Sequence, residues 1–98
     1  MHTLYHGTNA PAAVIEALMG ADRIRTPFHL APDRRVAENY GSHVIAIETE
    51  SDIKSAHVGM INKEGNYNAA VGNGIEVVIK TPAAVREFYS VIYDAYNA

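Results

Sequence analysis

The sequence contains no cysteine at all. Disulfides and thiolate metal sites are therefore excluded, and nothing marks the chain as a secreted, disulfide-stabilised protein. The first residues do not combine a basic segment with a long apolar run, and no apolar stretch approaches the length needed to cross a membrane. These absences predict a protein of the cytoplasm.

Positive charge is also scarce. The 98 residues include 8 lysines and arginines against 11 aspartates and glutamates, which gives a formal net charge of −3. Proteins that bind nucleic acid broadly carry a basic face, so the charge balance argues against that function. Hydrophobic residues make up 48% and charged residues 19% of the chain, as is typical of a folded protein. The length predicts one domain over residues 1–98.

Periodicity predicts an α+β domain with short strands and two short helices. Apolar residues recur at helical spacing between Pro11 and Gly20. A second helix is predicted over 33–40, opened by Asp33 and closed by Gly41. Strands are predicted from alternation and β-branched content over 2–6, 24–31, 42–50 and 75–80.

Two further segments are less clear-cut. The tail is compatible with a helix or a strand, and its alternation favours a strand over 86–93. Residues 59–74 are rich in glycine and asparagine and are predicted to form a long mobile loop, a kind of segment that often has a function. Tyr67 and Asn73 belong to this predicted loop.

Three residues stand at or near the ends of predicted elements, namely His6, Tyr40 and Glu76. Each has an ordinary explanation: a strand-to-turn exit, an aromatic that packs in the core, and a carboxylate exposed at the start of a strand. Gly7, directly after His6, permits a close approach to the backbone. A carboxylate at the start of an otherwise apolar strand is costly unless it is paired or used. Taken singly, these residues decide nothing.

Their order and local context resemble the His-Tyr-Glu branch of the ADP-ribosyltransferase superfamily, which includes poly-ADP-ribose polymerases and diphtheria-type toxins. In that branch a first strand ends in His-Gly and a small hydroxyl residue, as in HGT at 6–8. A short strand and a helix with a stacking tyrosine follow, as in HLAPDRRVAENY at 29–40. A later strand begins with the catalytic glutamate, as in EVVI at 76–79. The resemblance extends over 4–80 and implies a small split antiparallel sheet.

The resemblance also implies NAD as co-substrate, no metal, and a role for each residue. Glu76 would hold the nicotinamide ribose and stabilise the positive charge that develops as the glycosidic bond breaks. Nicotinamide leaves as a neutral molecule, so no general acid is required, unlike in two-carboxylate glycosidases. The backbone of Gly7 would bind the nicotinamide amide, His6 the adenosine-side ribose, and Tyr40 would stack on the cationic ring. The other cofactor-binding residues that it implies are Thr8, His29 and Ala31.

Three positions depart from the pattern of this family. Gly74 stands where arginine-modifying members have glutamine or glutamate, which argues against arginine as the acceptor. His29 stands where the family often has tyrosine, and Ala37 stands where many polymerase-like members have a serine that helps to hold the nicotinamide amide. Ala37 slightly favours a non-catalytic protein. The set of His6, Tyr40 and Glu76 favours an enzyme, because a non-catalytic scaffold has no need of it.

The resulting expectation is an NAD-dependent ADP-ribosyltransferase that modifies a protein or another macromolecule. The predicted loop, with Tyr67 and Asn73, would select this acceptor. By analogy alone, so small a chain suits a phage or toxin-like effector against a host or defence protein. Three alternatives stay open. They are a non-catalytic module that docks on a partner protein, an NAD glycohydrolase, and an RNA 2′-phosphotransferase, which the net charge of −3 disfavours.

Overall fold

The computed structural model describes residues 2–20, 24–25, 27–50, 66–71, 74–79, 86 and 88–98. Its strands are β1 (His2–Thr8), β2 (Phe28–Leu30), β3 (His43–Thr49), β4 (Asn66–Val71), β5 (Gly74–Ile79) and β6 (Ile92–Asn97). Its helices are α1 (Pro11–Gly20) and α2 (Arg34–Ala37), and α2 continues into a 3₁₀ turn (Glu38–Tyr40). Within these ranges no helix is long and apolar enough to cross a membrane.

The strands form two antiparallel sheets of three strands each. One sheet has the order β1-β3-β6 and the other has the order β2-β5-β4. Among the residues that the structure describes, one bridge joins them: the Tyr5 N–H donates to the Ala31 carbonyl at 2.7 Å, and the Ala31 N–H donates to the Tyr5 carbonyl at 2.9 Å. The predicted α+β class with antiparallel strands and two short helices is confirmed.

Both sheets contribute to the hydrophobic core, together with α1 and the segment before β6. Alternation explains the contribution of β1 and β3, because Leu4 lies opposite Ile47 in the register and side chains at paired positions share a face. β3 is buried on both faces, since Val44 and Ala46 are buried as well as Ile45 and Ile47. The principal core residues are Leu4, Leu18, Phe28, Leu30, Ile45, Ile47, Val77, Ile79, Phe88 and Ala95.

The prediction of a strand over 86–93 is wrong. Arg86, Phe88 and Tyr89 are helical, and the strand begins only at Ile92 and runs to Asn97. Phe88 is buried in the core, and the hydroxyl of the adjacent Tyr89 reaches α1. Two successive aromatic residues that both point inward are incompatible with a strand, in which neighbouring side chains point to opposite faces.

The predicted mobile loop over 59–74 is wrong in its second half. Residues 66–71 form β4, which pairs with β5 from Asn66 opposite Ile79 to Val71 opposite Gly74. The sequence signal for this pairing was the Gly-Asn dipeptide at 72–73, which is typical of two-residue hairpin connections. Residues 59–65, Gly72 and Asn73 lie outside the described ranges. Tyr67 is therefore a strand residue, opposite Val78.

Tyr89 joins the end of α1 to the segment that follows it. Its hydroxyl donates to the Ala17 carbonyl at 3.3 Å and accepts from the Ile24 N–H at 3.3 Å. The Ala17 carbonyl belongs to the last turn of α1, where carbonyls lack partners within the helix.

We expect Tyr89→Phe to lower the free energy of unfolding by about 1–2 kcal/mol, because two backbone groups lose their hydrogen-bond partner. Urea denaturation monitored by circular dichroism would measure this change. Tyr93→Phe is the matched control: that hydroxyl is exposed and contacts Glu50, so its removal should leave the urea midpoint unchanged. Equal midpoint shifts in the two variants would contradict the proposed contribution of Tyr89.

Candidate functional site

Among the described residues, no backbone pair joins β1 to β2 beyond the bridge between Tyr5 and Ala31. We call this interruption of the pairing the gap between the sheets, and the first candidate residues lie beside it. In an antiparallel pair the backbone groups of successive residues point alternately toward and away from the partner strand. Tyr5 points its N–H and carbonyl away from β3, toward Ala31. Gly7 is two residues on in the same regular register, opposite Val44, so its N–H and carbonyl point into the gap as well.

His6 crosses this gap with its side chain. Its Nδ1 lies 2.7 Å from the backbone carbonyl oxygen of His29, and its ring stacks on Phe28 with centroids 4.2 Å apart and planes at 25°. Burial lowers the pKa of His6 below its ordinary value, although the bond to the His29 carbonyl opposes this shift. His6 therefore joins β1 to β2 where the backbone ladder between them has ended.

Gly7 is required by the packing of the protein itself. A Cβ added at Gly7 would overlap the carbonyl oxygen of Ala37 and lie 3.0 Å from the Cβ of Tyr40. The close approach that the sequence predicted at this glycine is thus made by α2 and the 3₁₀ turn. On this face of β1 the glycine is covered, and only its in-plane backbone groups are directed into the gap.

Gly41 has the same kind of role on the other side of the 3₁₀ turn. The sequence predicted a helix-closing glycine, but its backbone is extended, with φ 172° and ψ 176°. A Cβ there would overlap backbone atoms of Thr8. The two glycines therefore let the 3₁₀ turn press directly against the end of β1, which places Tyr40 beside Gly7.

Tyr40 and His29 form an aromatic pair on the side of β2 that faces away from the core. Phe28 and Leu30 are buried, so alternation directs the His29 ring to the opposite face. The rings of His29 and Tyr40 are 5.6 Å apart and tilted by 32°. Tyr40 is 46% exposed.

The helix that carries Tyr40 is held by short polar contacts. Asp33 caps α2, as predicted: its Oδ1 accepts from the Arg35 N–H at 2.9 Å. The Arg35 side chain also donates to this carboxylate and lowers the pKa of Asp33. Asn39 donates from Nδ2 to the Val36 carbonyl at 3.2 Å, which ties the 3₁₀ turn to α2.

Thr8 and Asn9 fasten the end of β1 to its neighbours. The Thr8 hydroxyl oxygen accepts from the Ala10 N–H at 3.0 Å, and the Asn9 side-chain oxygen accepts from the Ser42 N–H at 2.8 Å. The strand continues through Gly7 to Thr8, two residues farther than predicted. The Thr8 hydroxyl oxygen is thus engaged in a local turn close to the gap.

Glu76 is the third residue of β5 and pairs with Ala69 of β4. On the other side of β5, Val77 lies opposite Leu30 of β2. If this register is continued by one residue, the backbone of Glu76 lies opposite Ala31, the residue that bridges the two sheets.

The structure thus brings together five of the predicted residues and leaves others apart. His6, Gly7, His29, Ala31 and Tyr40 meet around the gap between the sheets. Tyr67 lies on β4, which is separated from β2 by β5. The acceptor role predicted for Tyr67 assumed a loop, and that assumption is wrong.

Sequence reasoning missed Phe28, which stacks on His6. Its position directly before the HLA segment and after a proline was the available signal, but an apolar residue in a strand is normally assigned to the core. Phe28 does both, since it is buried in the core and also covers one face of the His6 ring.

Comparison with protein-family models, with curated proteins and with solved structures finds no match to this chain. Among the described residues, no group of three or more histidine, aspartate or glutamate side chains could hold a metal ion. The resemblance of the residues around the gap to the family pattern therefore stays a prediction.

The lowered pKa of His6 predicts a loss of stability in acid. In the unfolded chain the His6 ring takes up a proton near pH 6.5, whereas in the folded chain it does so only at a lower pH. The free energy of unfolding is therefore at its full value above pH 6.5 and falls as the pH drops from there through the lowered pKa of the folded chain. The expected slope is at most about 1.4 kcal/mol per pH unit for one group.

Urea denaturation between about pH 7.5 and pH 4.5 would measure this slope. His6→Gln should flatten it over the upper part of this range, whereas His43→Gln should not, because His43 is exposed on β3. Identical slopes for the two variants would contradict a proton-linked role of His6.

Proposed function

We propose that this chain is an NAD-dependent ADP-ribosyltransferase that transfers ADP-ribose to a protein and releases nicotinamide. One observation carries the proposal: Gly7, whose backbone N–H and carbonyl are directed away from β3 by the register, lies beside the half-exposed Tyr40. A carboxamide offers one donor group and one acceptor group, which match these two backbone groups. A planar cationic ring is matched by an electron-rich aromatic face.

His6 supports the same ligand on chemical grounds. Its Nδ1 is occupied by the His29 carbonyl, so its other nitrogen is the one that a sugar hydroxyl would meet. The resemblance assigns His6 to the adenosine-side ribose. A dinucleotide with its nicotinamide at Gly7 and Tyr40 and its adenosine ribose at His6 would lie across the end of β1.

The reaction requires little acid–base chemistry from the protein. The bond between the anomeric carbon of the nicotinamide ribose and the ring nitrogen breaks, and its electron pair remains on nicotinamide, which becomes neutral. The acceptor nucleophile then forms a bond to the same carbon and loses its proton. The resemblance implies that Glu76 stabilises the oxocarbenium-like positive charge that is present after nicotinamide begins to leave and before the acceptor has bonded.

The acceptor is proposed to be a host or defence protein, with this chain acting as a phage or toxin-like effector. This part rests on analogy alone. Because Tyr67 lies in β4 rather than in a loop, the acceptor is not assigned to that residue.

The test is nicotinamide release from NAD by the purified chain, measured chromatographically with and without cell lysate. NAD labelled in its adenosine half reports transfer to protein in the same samples. Release that depends on lysate and labels a protein band supports the proposal. Release without a labelled band would replace it by NAD hydrolysis. No release, together with no effect of NAD on thermal stability, would overturn the enzyme function in favour of a module that docks on a partner.

A further inference from the structure

The sheet of β1, β3 and β6 has one face in the core and a second face that points away from the core. Ala95 is buried in the core, so alternation directs its neighbours Asp94 and Tyr96 to the second face. Asp94 lies opposite Glu48 of β3, and the adjacent Tyr96 is 42% exposed. This second face therefore presents an aromatic ring beside two carboxylates.

Two tyrosine hydroxyls connect β6 to carboxylates at the end of β3. Tyr96 donates to Glu48 Oε1 and Tyr93 donates to Glu50 Oε1, both at 3.1 Å. These hydrogen bonds raise the pKa of both tyrosines, so their hydroxyls stay protonated at neutral pH. Tyr93 is 56% exposed. We call the resulting surface the acidic-aromatic face; its members are Glu48, Glu50, Tyr93, Asp94 and Tyr96.

The negative charge of this face is not balanced from within its own sheet. The three strands contain no lysine and no arginine. Glu48 and Asp94 are directly opposite each other on neighbouring strands, and like charges in this arrangement destabilise a sheet. A cation from outside the chain would relieve their repulsion.

β6 lies at the edge of this sheet as the structure describes it. The Ala98 N–H donates to the Val44 carbonyl at 2.8 Å, which fixes the alternation of backbone groups along β6. Ala95 and Asn97 therefore direct their N–H and carbonyl groups away from β3. Because the Ala95 N–H donates to Asp94 Oδ1 at 2.8 Å, an added strand would meet the Ala95 carbonyl and both backbone groups of Asn97.

We propose that this edge binds an extended, arginine-containing segment of a partner protein. The segment pairs with β6 as a fourth strand and places its arginines on the acidic-aromatic face. Side chains on one face of a strand recur at every second residue, so arginine alternates with other residues in this segment. Guanidinium suits the face because it stacks on aromatic rings and forms paired hydrogen bonds with carboxylates. The inference goes beyond the proposed function and does not require that NAD is cleaved.

The same charges disfavour other occupants of this edge. A nucleic acid or an anionic membrane would bring further negative charge to the carboxylates. A second copy of the chain, paired through β6, would bring its own Glu48 and Asp94 to the same place, and charged side chains on edge strands usually protect against such pairing. Charge complementarity therefore selects a basic segment.

The test is an NMR titration of the isotopically labelled chain with a peptide in which arginine alternates with valine and threonine. The amide resonances of β6 are expected to shift, and the Asn97 amide is expected to gain protection from hydrogen exchange as it bonds to the peptide. Raising the salt concentration from about 50 mM to about 500 mM is expected to weaken binding at least about threefold, because exposed charges are screened.

Two control peptides separate charge from strand pairing. The peptide with glutamate in place of arginine is expected to cause no shift. A peptide of the same composition with consecutive arginines is expected to bind about two- to fivefold more weakly, because only every second side chain reaches the acidic-aromatic face. Equal binding of either control would overturn the proposal. Its other refutations are β6 resonances that do not respond to the arginine peptide, and β6 resonances that move with protein concentration alone, which would assign the edge to a second copy.

Variants of the chain test the carboxylates directly. Glu48→Gln and Asp94→Asn keep the shape of each side chain and remove its charge, and each is expected to weaken binding of the arginine peptide about two- to fivefold. Glu16→Gln is the matched control, because Glu16 is exposed on α1, whose Leu18 packs with Ala95 on the core side of the sheet. Equal affinities of the three variants would overturn the role of the acidic-aromatic face. The peptide series on the unaltered chain does not depend on the folding of these variants.

Discussion

The Glu76→Gln protein is expected to release nicotinamide from NAD about 10²–10³-fold more slowly than the unaltered chain. Glutamine has nearly the shape of glutamate but no charge, so it leaves the developing cation without a counter-charge. Single preorganised electrostatic groups in active sites contribute factors of this size. The effect should fall mainly on kcat rather than on KM, because the charge develops only in the transition state.

Glu16→Gln is the matched control for this prediction. Glu16 is exposed on α1, and its substitution removes one carboxylate without touching the gap between the sheets. Both variants should show the thermal midpoint of the unaltered chain to within a few degrees. Equal rates of nicotinamide release by Glu76→Gln and Glu16→Gln would show that Glu76 does not contribute to the reaction. The strongest chemical support for the family pattern would then be lost.

The second large effect is expected on stability, at Gly7. A Cβ at this position would overlap the Ala37 carbonyl oxygen, which is a backbone atom and cannot rotate aside. Gly7→Ala should therefore lower the free energy of unfolding by about 3 kcal/mol, the upper part of the usual range for overpacking. For a domain of this size that corresponds to a fall in Tm of roughly 10–20 °C.

Two other glycines provide the comparison. Gly41→Ala should also destabilise strongly, because its Cβ would overlap the backbone of Thr8. Gly20 is exposed at the end of α1, so Gly20→Ala should change the free energy of unfolding by no more than about 0.5 kcal/mol. Differential scanning calorimetry on the three variants would rank them.

The result at Gly7 also separates two explanations for this residue. If Gly7→Ala retains the Tm of the unaltered chain but loses NAD binding, the glycine is needed only by the ligand, and the packing argument is wrong. If the Tm falls as expected, the glycine is needed by the fold, because α2 and the 3₁₀ turn have to press on β1 before any ligand can be bound beside Tyr40.

Local sequence signals were sufficient where one element depends mainly on its own residues. The β-branched run of β5, the apolar β3 and the apolar spacing of α1 predicted these elements to within a residue or two. Asp33 predicted the start of α2 because its side chain reaches a backbone N–H only two residues away. The order of His6, Tyr40 and Glu76 predicts a site on three segments, two of which, the end of β1 and the 3₁₀ turn, lie in contact.

The sequence failed where distant contacts decide between local alternatives. The sequence of the tail is compatible with a helix or a strand. The helical conformation at 86–89 depends on two distant contacts: Phe88 packs in the core, and the Tyr89 hydroxyl donates to a carbonyl of α1 that is 72 residues away. The glycine and asparagine content of residues 59–74 predicts a loop, because both residue types have low strand propensity. The pairing of β4 with β5 outweighs that preference.

The sequence by itself thus determined the composition class, the main apolar strands, both helices and the candidate residue types. Only the tertiary structure decided that no described backbone pair joins β1 to β2 beyond Tyr5 and Ala31, that Gly7 packs against Ala37, and that His6 uses its Nδ1 on the His29 carbonyl. These are contacts between residues 23 to 30 positions apart. They arise because the core fixes where each strand end lies, and no periodicity within a single segment encodes that position.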